Sequence, residues 1–142
     1  MGKVSNILTN KSKVTYSVTP DTIVYDALDL MFQKNVSALL VLDGEHLLGI
    51  FTERDYARKV ILQGRASKET LIGEIMTSDL ITVTPDASIN DCMKLMSSRF
   101  IRHLPVLEND KVVGIISIGD VVKFIIDEQQ FIIENMEHYI TH

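Results

Sequence analysis

The run Val18-Thr19-Pro20-Asp21 returns as Val83-Thr84-Pro85-Asp86, 65 positions on when counted from Pro20 to Pro85. Carried along without a gap, the same displacement pairs Asp26 with Asp91, Leu30-Met31 with Leu95-Met96 and Leu39 with Leu104. It also pairs Val41-Leu42 with Val106-Leu107, Gly49-Ile50 with Gly114-Ile115, and Asp55 with Asp120. Agreement in one register over so many positions marks an internal repeat, in which a single copy cannot bury its apolar face alone. A chain of 142 residues, 46% of them hydrophobic, therefore has the material for one sizeable core, or for two small cores that share an interface.

Within each copy, Thr-Pro-Asp is expected to open a helix, because threonine or aspartate caps it and proline suits its first turn. Ile23, Ala27, Leu28, Met31 and Phe32 recur behind it at helical spacing. The apolar runs 38–42 and 47–51 flank Asp43-Gly44-Glu45 and read as a hairpin, and Glu108-Asn109-Asp110 makes the corresponding turn in the second copy. A further helix follows, from Asp55 to Leu62 and from Asp120 to about Tyr139. The unit is strand–helix–strand–strand–helix, an α+β class. Its two copies are expected over 9–67 and 74–132, with 133–142 as the end of the last helix and a short polar linker from Gln63 to Lys68.

Composition excludes several functions. A net charge of −5 argues against general nucleic-acid binding, which needs a surplus of Lys and Arg on one face. The first twenty residues show no signal-peptide core, and no stretch approaches the roughly 18 apolar residues of a membrane span. Cys92, the single cysteine, offers neither a disulfide nor a zinc cluster, which points to a reducing cytosol. It falls opposite Ala27 in the repeat and reads as a small core hydrophobe. The histidines at 46, 103, 138 and 142 lack metal-site spacing. With no phosphate loop, no nucleophile beside a base and no metal cluster, the chain is expected to have no catalytic residues and no catalytic cofactor.

One motif recurs intact: glycine, two apolar residues, Thr or Ser, two variable residues, then Asp. It stands as Gly49-Ile50-Phe51-Thr52-Glu53-Arg54-Asp55 and as Gly114-Ile115-Ile116-Ser117-Ile118-Gly119-Asp120. With the repeat, it resembles the cystathionine-β-synthase-type (CBS) domain, and the chain from about Lys11 to Asp127 is similar to a stand-alone tandem CBS module. The resemblance implies two units packed through their sheets with pseudo-two-fold symmetry. It also implies a homodimer and a regulatory ligand among AMP, ADP, ATP, NAD and S-adenosylmethionine.

The residues themselves agree with that ligand class. An aspartate in a first helical turn can accept from both ribose hydroxyls, as Asp55 and Asp120 are placed to do. Thr52 and Ser117 can bond ribose or the first phosphate, and amides at the helix start attract anionic oxygen. Ile50 and Ile115 supply one apolar wall for adenine. By resemblance, the other wall comes from the partner repeat: Thr15, Tyr16, Val36, Ser37 and Ala38 for the Asp120 site, and Thr77, Leu80, Ile81 and Ile101 for the Asp55 site. Arg54, Arg102 and His103 are the cations that the family pattern directs to phosphate. Gly119 replaces Arg54 in the second copy, so the two sites are expected to differ, with the Asp55 site the more phosphate-dependent.

Gly49 and Gly114 read equally as a strand bend or as room for a ligand. Arg58, Lys59 and Arg65 read as solvated charges. The apolar stripe of the last helix suggests core and a dimer seam. The expectation is a cytoplasmic adenine-nucleotide sensor controlling an unidentified partner protein. The alternative is a ligand-independent scaffold or subunit.

Overall fold

The computed structural model describes residues 2–11 and 15–141. Helix α1 (Val4–Asn10) precedes the first unit, which runs β1 (Ser17–Val18), α2 (Val24–Lys34), β2 (Ala38–Asp43), β3 (His46–Thr52) and α3 (Glu53–Asp55). The last continues as a π turn over Tyr56–Val60 and a 3-10 turn over Ile61–Gln63. After the short α4 (Ile72–Ile75) comes the second unit: α5 (Ile89–Arg99), β4 (His103–Glu108), β5 (Lys111–Ser117) and α6 (Ile118–Thr141).

The repeat read from sequence is reproduced in the hairpin register of the two units. β1 lies parallel to β2 with Val18 opposite Val41, and the bridge Val83–Val106 is its counterpart. β2 and β3 pair antiparallel with Leu39 opposite Phe51, and β4 and β5 place Leu104 opposite Ile116, with a bulge after Val41 and after Val106 alike. Both turns need left-handed backbone. Gly44 supplies it at φ 61°, and Asn109 and Asp110 at 53° and 63°, residues that tolerate this region better than most.

The helices start later than the sequence suggested. Thr19 and Thr84 do not cap α2 and α5. Their carbonyls accept from Thr22 N and Ala87 N at 3.1 Å in both cases, so Thr-Pro-Asp closes a turn, the other use of a proline at a second position. α5 is capped instead by Ser88, whose side chain accepts from Asp91 N at 3.0 Å. The buried positions are then Val24, Ala27 and Met31 on α2, and Ile89, Cys92 and Met96 on α5. Phe32, read as part of the stripe, is 85% exposed.

Leu39, Val41 and Phe51 point into the helix-lined core of the first unit, as Leu104, Val106 and Ile116 do in the second. Leu40 and Ile50 alternate to the opposite face, yet they too are buried, at 1% and 8% exposure. That face is covered by the other unit: β3 packs against β5.

Helices α1 and α4 were not read from the sequence. α4 completes the first core with Ile72 and Ile75, whereas α1 completes the second with Val4 and Ile7. They are equivalent, since Val4 N donates to Ala87 O at 2.9 Å and Ile72 N to Thr22 O at 2.8 Å. This equivalence explains the two strand glycines. A Cβ on Gly49 would stand 2.8 Å from both Met76 Sδ and the carbonyl oxygen of Thr77, and one on Gly114 would stand 2.7 Å from Leu8 Cδ2. The glycines stand opposite Val41 and Val106, where each hairpin bulges, and they also admit Met76 and Leu8 close to the strand.

Backbone cannot yield as a side chain can. Gly49→Ala is therefore expected to cost about 1–3 kcal/mol of stability, the range of overpacked sites, and Gly114→Ala clearly less, because Leu8 can rotate. Denaturant midpoints of the two variants check this, and equal losses would contradict it.

Candidate functional site

The hydroxyl and carboxylate of the recurring motif first serve the backbone. Thr52 N donates to Asp55 Oδ2 at 3.0 Å while Asp55 N donates to Thr52 Oγ1 at 3.1 Å. Ser117 N donates to Asp120 Oδ2 at 2.8 Å and Asp120 N to Ser117 Oγ at 3.1 Å. Each pair is a capping box that fixes the exit from a strand into a helix. Glu53 N donates to Ser37 O and Ile118 N to Arg102 O. Two of the first three amides of each helix are thus engaged, which leaves the helix start less open to anions than the sequence suggested.

The two carboxylates then differ. Asp55 is 7% exposed. Its Oδ1 accepts from Thr77 Oγ1 at 2.9 Å and stands 3.1 Å from Lys59 Nζ, which also donates to Thr77 Oγ1 at 3.0 Å. Ile50 and Thr77 exchange backbone bonds at 2.9 Å in each direction, so Ile50, Thr52, Asp55 and Thr77 form one group. Lys59 belongs to it and is not the solvated charge expected. Asp120 is more open, and its Oδ2 meets Lys11 Nζ at 2.7 Å. Lys11 donates as well to Ile115 O at 2.7 Å. Although burial pushes the Asp120 carboxyl upward, Lys11 and the Ser117 amide prevail and hold it below the usual range.

His103 sits opposite Ser117 across β4 and β5 and bridges the units, its Nε2 lying 3.1 Å from Ser37 Oγ. Burial, then Lys11, pushes its pKa below 6.5, with Asp120 opposing and Arg102 adding to the effect. The structure therefore gathers Ser37, His103, Ile115, Ser117 and Asp120. Arg54 crosses between units too, but donates to Phe100 O at 2.8 Å. At its counterpart, Gly119, a Cβ would meet nothing nearer than Ser117 Oγ at 3.6 Å, so packing does not demand a glycine there.

The remaining candidates lie along the unit edges. Tyr16 and Val36 pack on the first core, Ile81 and Ile101 on the second. Thr15 and Leu80 are half-buried, Ala38 is buried and Arg102 exposed. Val36 and Ser37 also line a concavity of about 380 Å³ with Met31, Phe32 and Glu53. Among the described residues no cluster suits a metal ion, and Cys92 is fully buried, with burial and then Asp91 raising its pKa. Of the two residues missed, Lys59 was visible as an i,i+4 partner of Asp55. Lys11 carried no local signal, being 109 residues from Asp120.

Comparison with known proteins adds an independent line. The family model of the CBS domain matches residues 4–61 and 72–127, segments that begin at α1 and α4. The chain is 42% identical over 147 residues to the CBS domain-containing protein CBSX3, mitochondrial, of Arabidopsis thaliana, covering 96% of this chain and 71% of that protein. A putative signal-transduction protein with CBS domains from Burkholderia ambifaria MC40-6 superposes with a TM-score of 0.87 at 50% identity, over 90% of this chain and 96% of that one. The CBS domain pair of protein MJ0100, solved with 5′-methylthioadenosine and S-adenosyl-L-methionine, superposes at 0.77 with 27% identity, over 87% and 99%.

The His103 shift has a readable consequence. A base whose folded pKa is depressed favours the folded state above its ordinary value of 6.5, and that contribution is lost as pH falls. NMR titration is expected to place the His103 ring below 6.5, and His103→Gln to flatten the stability loss that begins there. A value at or above 6.5 would show that the ring is not held neutral.

Proposed function

The chain belongs to the CBS-domain family and carries two copies of the domain, and from that premise we propose that it is a regulatory module that binds an adenosyl compound between the copies. One observation carries the reading. At equivalent places in the two units, a carboxylate lies beside hydroxyls, backbone polar groups and an isoleucine, which suits a ribose diol with adenine stacked on the apolar wall. The solved MJ0100 pair holds two adenosyl compounds, which supports the ligand class for this chain. AMP, ADP, ATP and NAD fit the same chemistry, their phosphates drawn to Arg54, Arg102 and His103 as a regulatory ligand rather than a catalytic cofactor.

In this reading, occupancy changes which arrangement of the units is favoured and so what the surface offers to a regulated partner protein. The module acts in the cytoplasm without catalysis and without nucleic acid. Among the described residues no helix is long and apolar enough to cross a membrane. Ile126, Ile133, Met136 and Ile140 are exposed along α6, four residues three to seven apart on one side of a helix, and they supply the seam of a homodimer. A ligand-independent scaffold is the second reading, favoured by the lysines already paired with both aspartates.

Thermal melting with AMP, ADP, ATP, NAD, S-adenosylmethionine and 5′-methylthioadenosine separates the two. At 100 times its dissociation constant the true ligand adds about 2.7 kcal/mol, an upward shift that Asp55→Asn and Asp120→Asn each reduce. No shift with any compound favours the scaffold. Light scattering is expected to give a dimer that Ile133→Glu with Ile140→Glu converts to monomer; an unchanged dimer would place the seam elsewhere.

A further inference from the structure

Each of the two site carboxylates is paired with a lysine, and the two lysines come from different parts of the chain. Lys59 lies one turn beyond Asp55 on the same helical segment and also donates to Thr77 Oγ1, but Thr77 is held independently by its two backbone bonds to Ile50, so losing the pair leaves that segment anchored. Lys11 is the residue that closes α1. It reaches Asp120 Oδ2 at 2.7 Å and Ile115 O at 2.7 Å, with the lysine side chain 32% and the aspartate side chain 25% exposed. The pair is reachable from solvent. The rest of α1 is held by Val4 and Ile7 in the second core and by Leu8 against Gly114.

An ammonium donates hydrogen bonds and accepts none, while each carboxylate oxygen has two good acceptor positions. Asp120 Oδ2 already accepts from Lys11 Nζ and Ser117 N. A ribose diol that grips both carboxylate oxygens therefore needs the position Lys11 holds, and an adenine edge reading the backbone at Ile115 competes for the same carbonyl. The two modes of binding exclude each other.

We propose that Lys11 is a displaceable counter-ion that makes the Asp120 site the signalling one. A ribose diol expels Lys11 from Asp120, the last turn of α1 loses its anchor, and occupancy is transmitted to α1. At the Asp55 site, displacement of Lys59 leaves Thr77 in place through its backbone bonds to Ile50. This rests on the adenosyl reading above and deepens it, since it assigns different consequences to filling the two sites.

Calorimetry with adenosine, which carries the diol and no phosphate, and with AMP tests it on the full chain. Lys11→Met is expected to tighten adenosine binding at one site about two- to fivefold, the factor set by a partly exposed ion pair, and Lys11→Arg to behave as the parent. In the unmodified protein adenosine is expected to speed amide exchange at residues 8–11, an effect absent in Lys11→Met and retained in Lys59→Met. Unchanged or weaker adenosine binding by Lys11→Met, or slower exchange in the last turn of α1, would overturn the counter-ion role while leaving adenosyl binding in place. No binding of adenosine or AMP to the unmodified protein would remove the adenosyl reading and this proposal with it.

Discussion

A sheet of two or three strands has two faces, and a single repeat has helices enough to cover one. Leu40 and Ile50 stand on the uncovered side of the first sheet and are nonetheless buried, because β3 meets β5 of the other unit. Removing that meeting would return the inner face of both sheets to water at a cost of about 25 cal/mol for each Å² of apolar surface. The placement of both candidate sites depends on this contact. Thr52 and Ser117 end the two strands that form it, and the carboxylates of Asp55 and Asp120 follow directly, so the sheet seam brings the two candidate sites toward a shared boundary.

The chemistry at that boundary is economical because the residues that cap the backbone are the same ones proposed to hold a ligand. A capping box holds each aspartate in place before any ligand arrives, which limits the side-chain entropy a ligand must remove on binding. The cost is competition, since a carboxylate that satisfies its own helix and a lysine has few acceptor positions left. The burial of Asp55 against the greater openness of Asp120 makes the two copies unequal despite their common origin in a repeat. The exchange of Arg54 for Gly119 adds a difference in charge that packing does not require.

Much of this was legible in the sequence. The displacement of 65 carried the hairpin pairing and the paired buried positions Ala27 and Cys92, because a repeat without insertions in these segments keeps the same residues opposite each other. Two things escaped it. Val4 and Ile72, equivalent by their bonds to Ala87 and Thr22, are 68 positions apart, three more than the repeat, so a gapless comparison passed over α1. Thr-Pro-Asp was read as a cap when it forms a turn, since the same residues serve both and only the tertiary position of Ile23 and Ser88 decides between them. Within the candidate sites, the hydroxyl–carboxylate pairs were visible as local spacing, whereas the ion pair of Lys11 with Asp120 joins the two ends of the fold and has no sequence signature.

Placing α1 on the second core has a consequence for how the molecule comes into being. A ribosome makes α1 ahead of the surface it needs, since Ile89, Cys92, Leu104, Ile116 and Val121 emerge only after the whole first unit. The first unit can collapse on its own strands and on α4 during that interval, while the opening helix waits unpartnered. Its docking is a contact of very long sequence separation, the kind that forms late and slowly. A helix made before the first unit is thus among the last elements to find its place, and when it does so it ties the segment ahead of the first unit to the second.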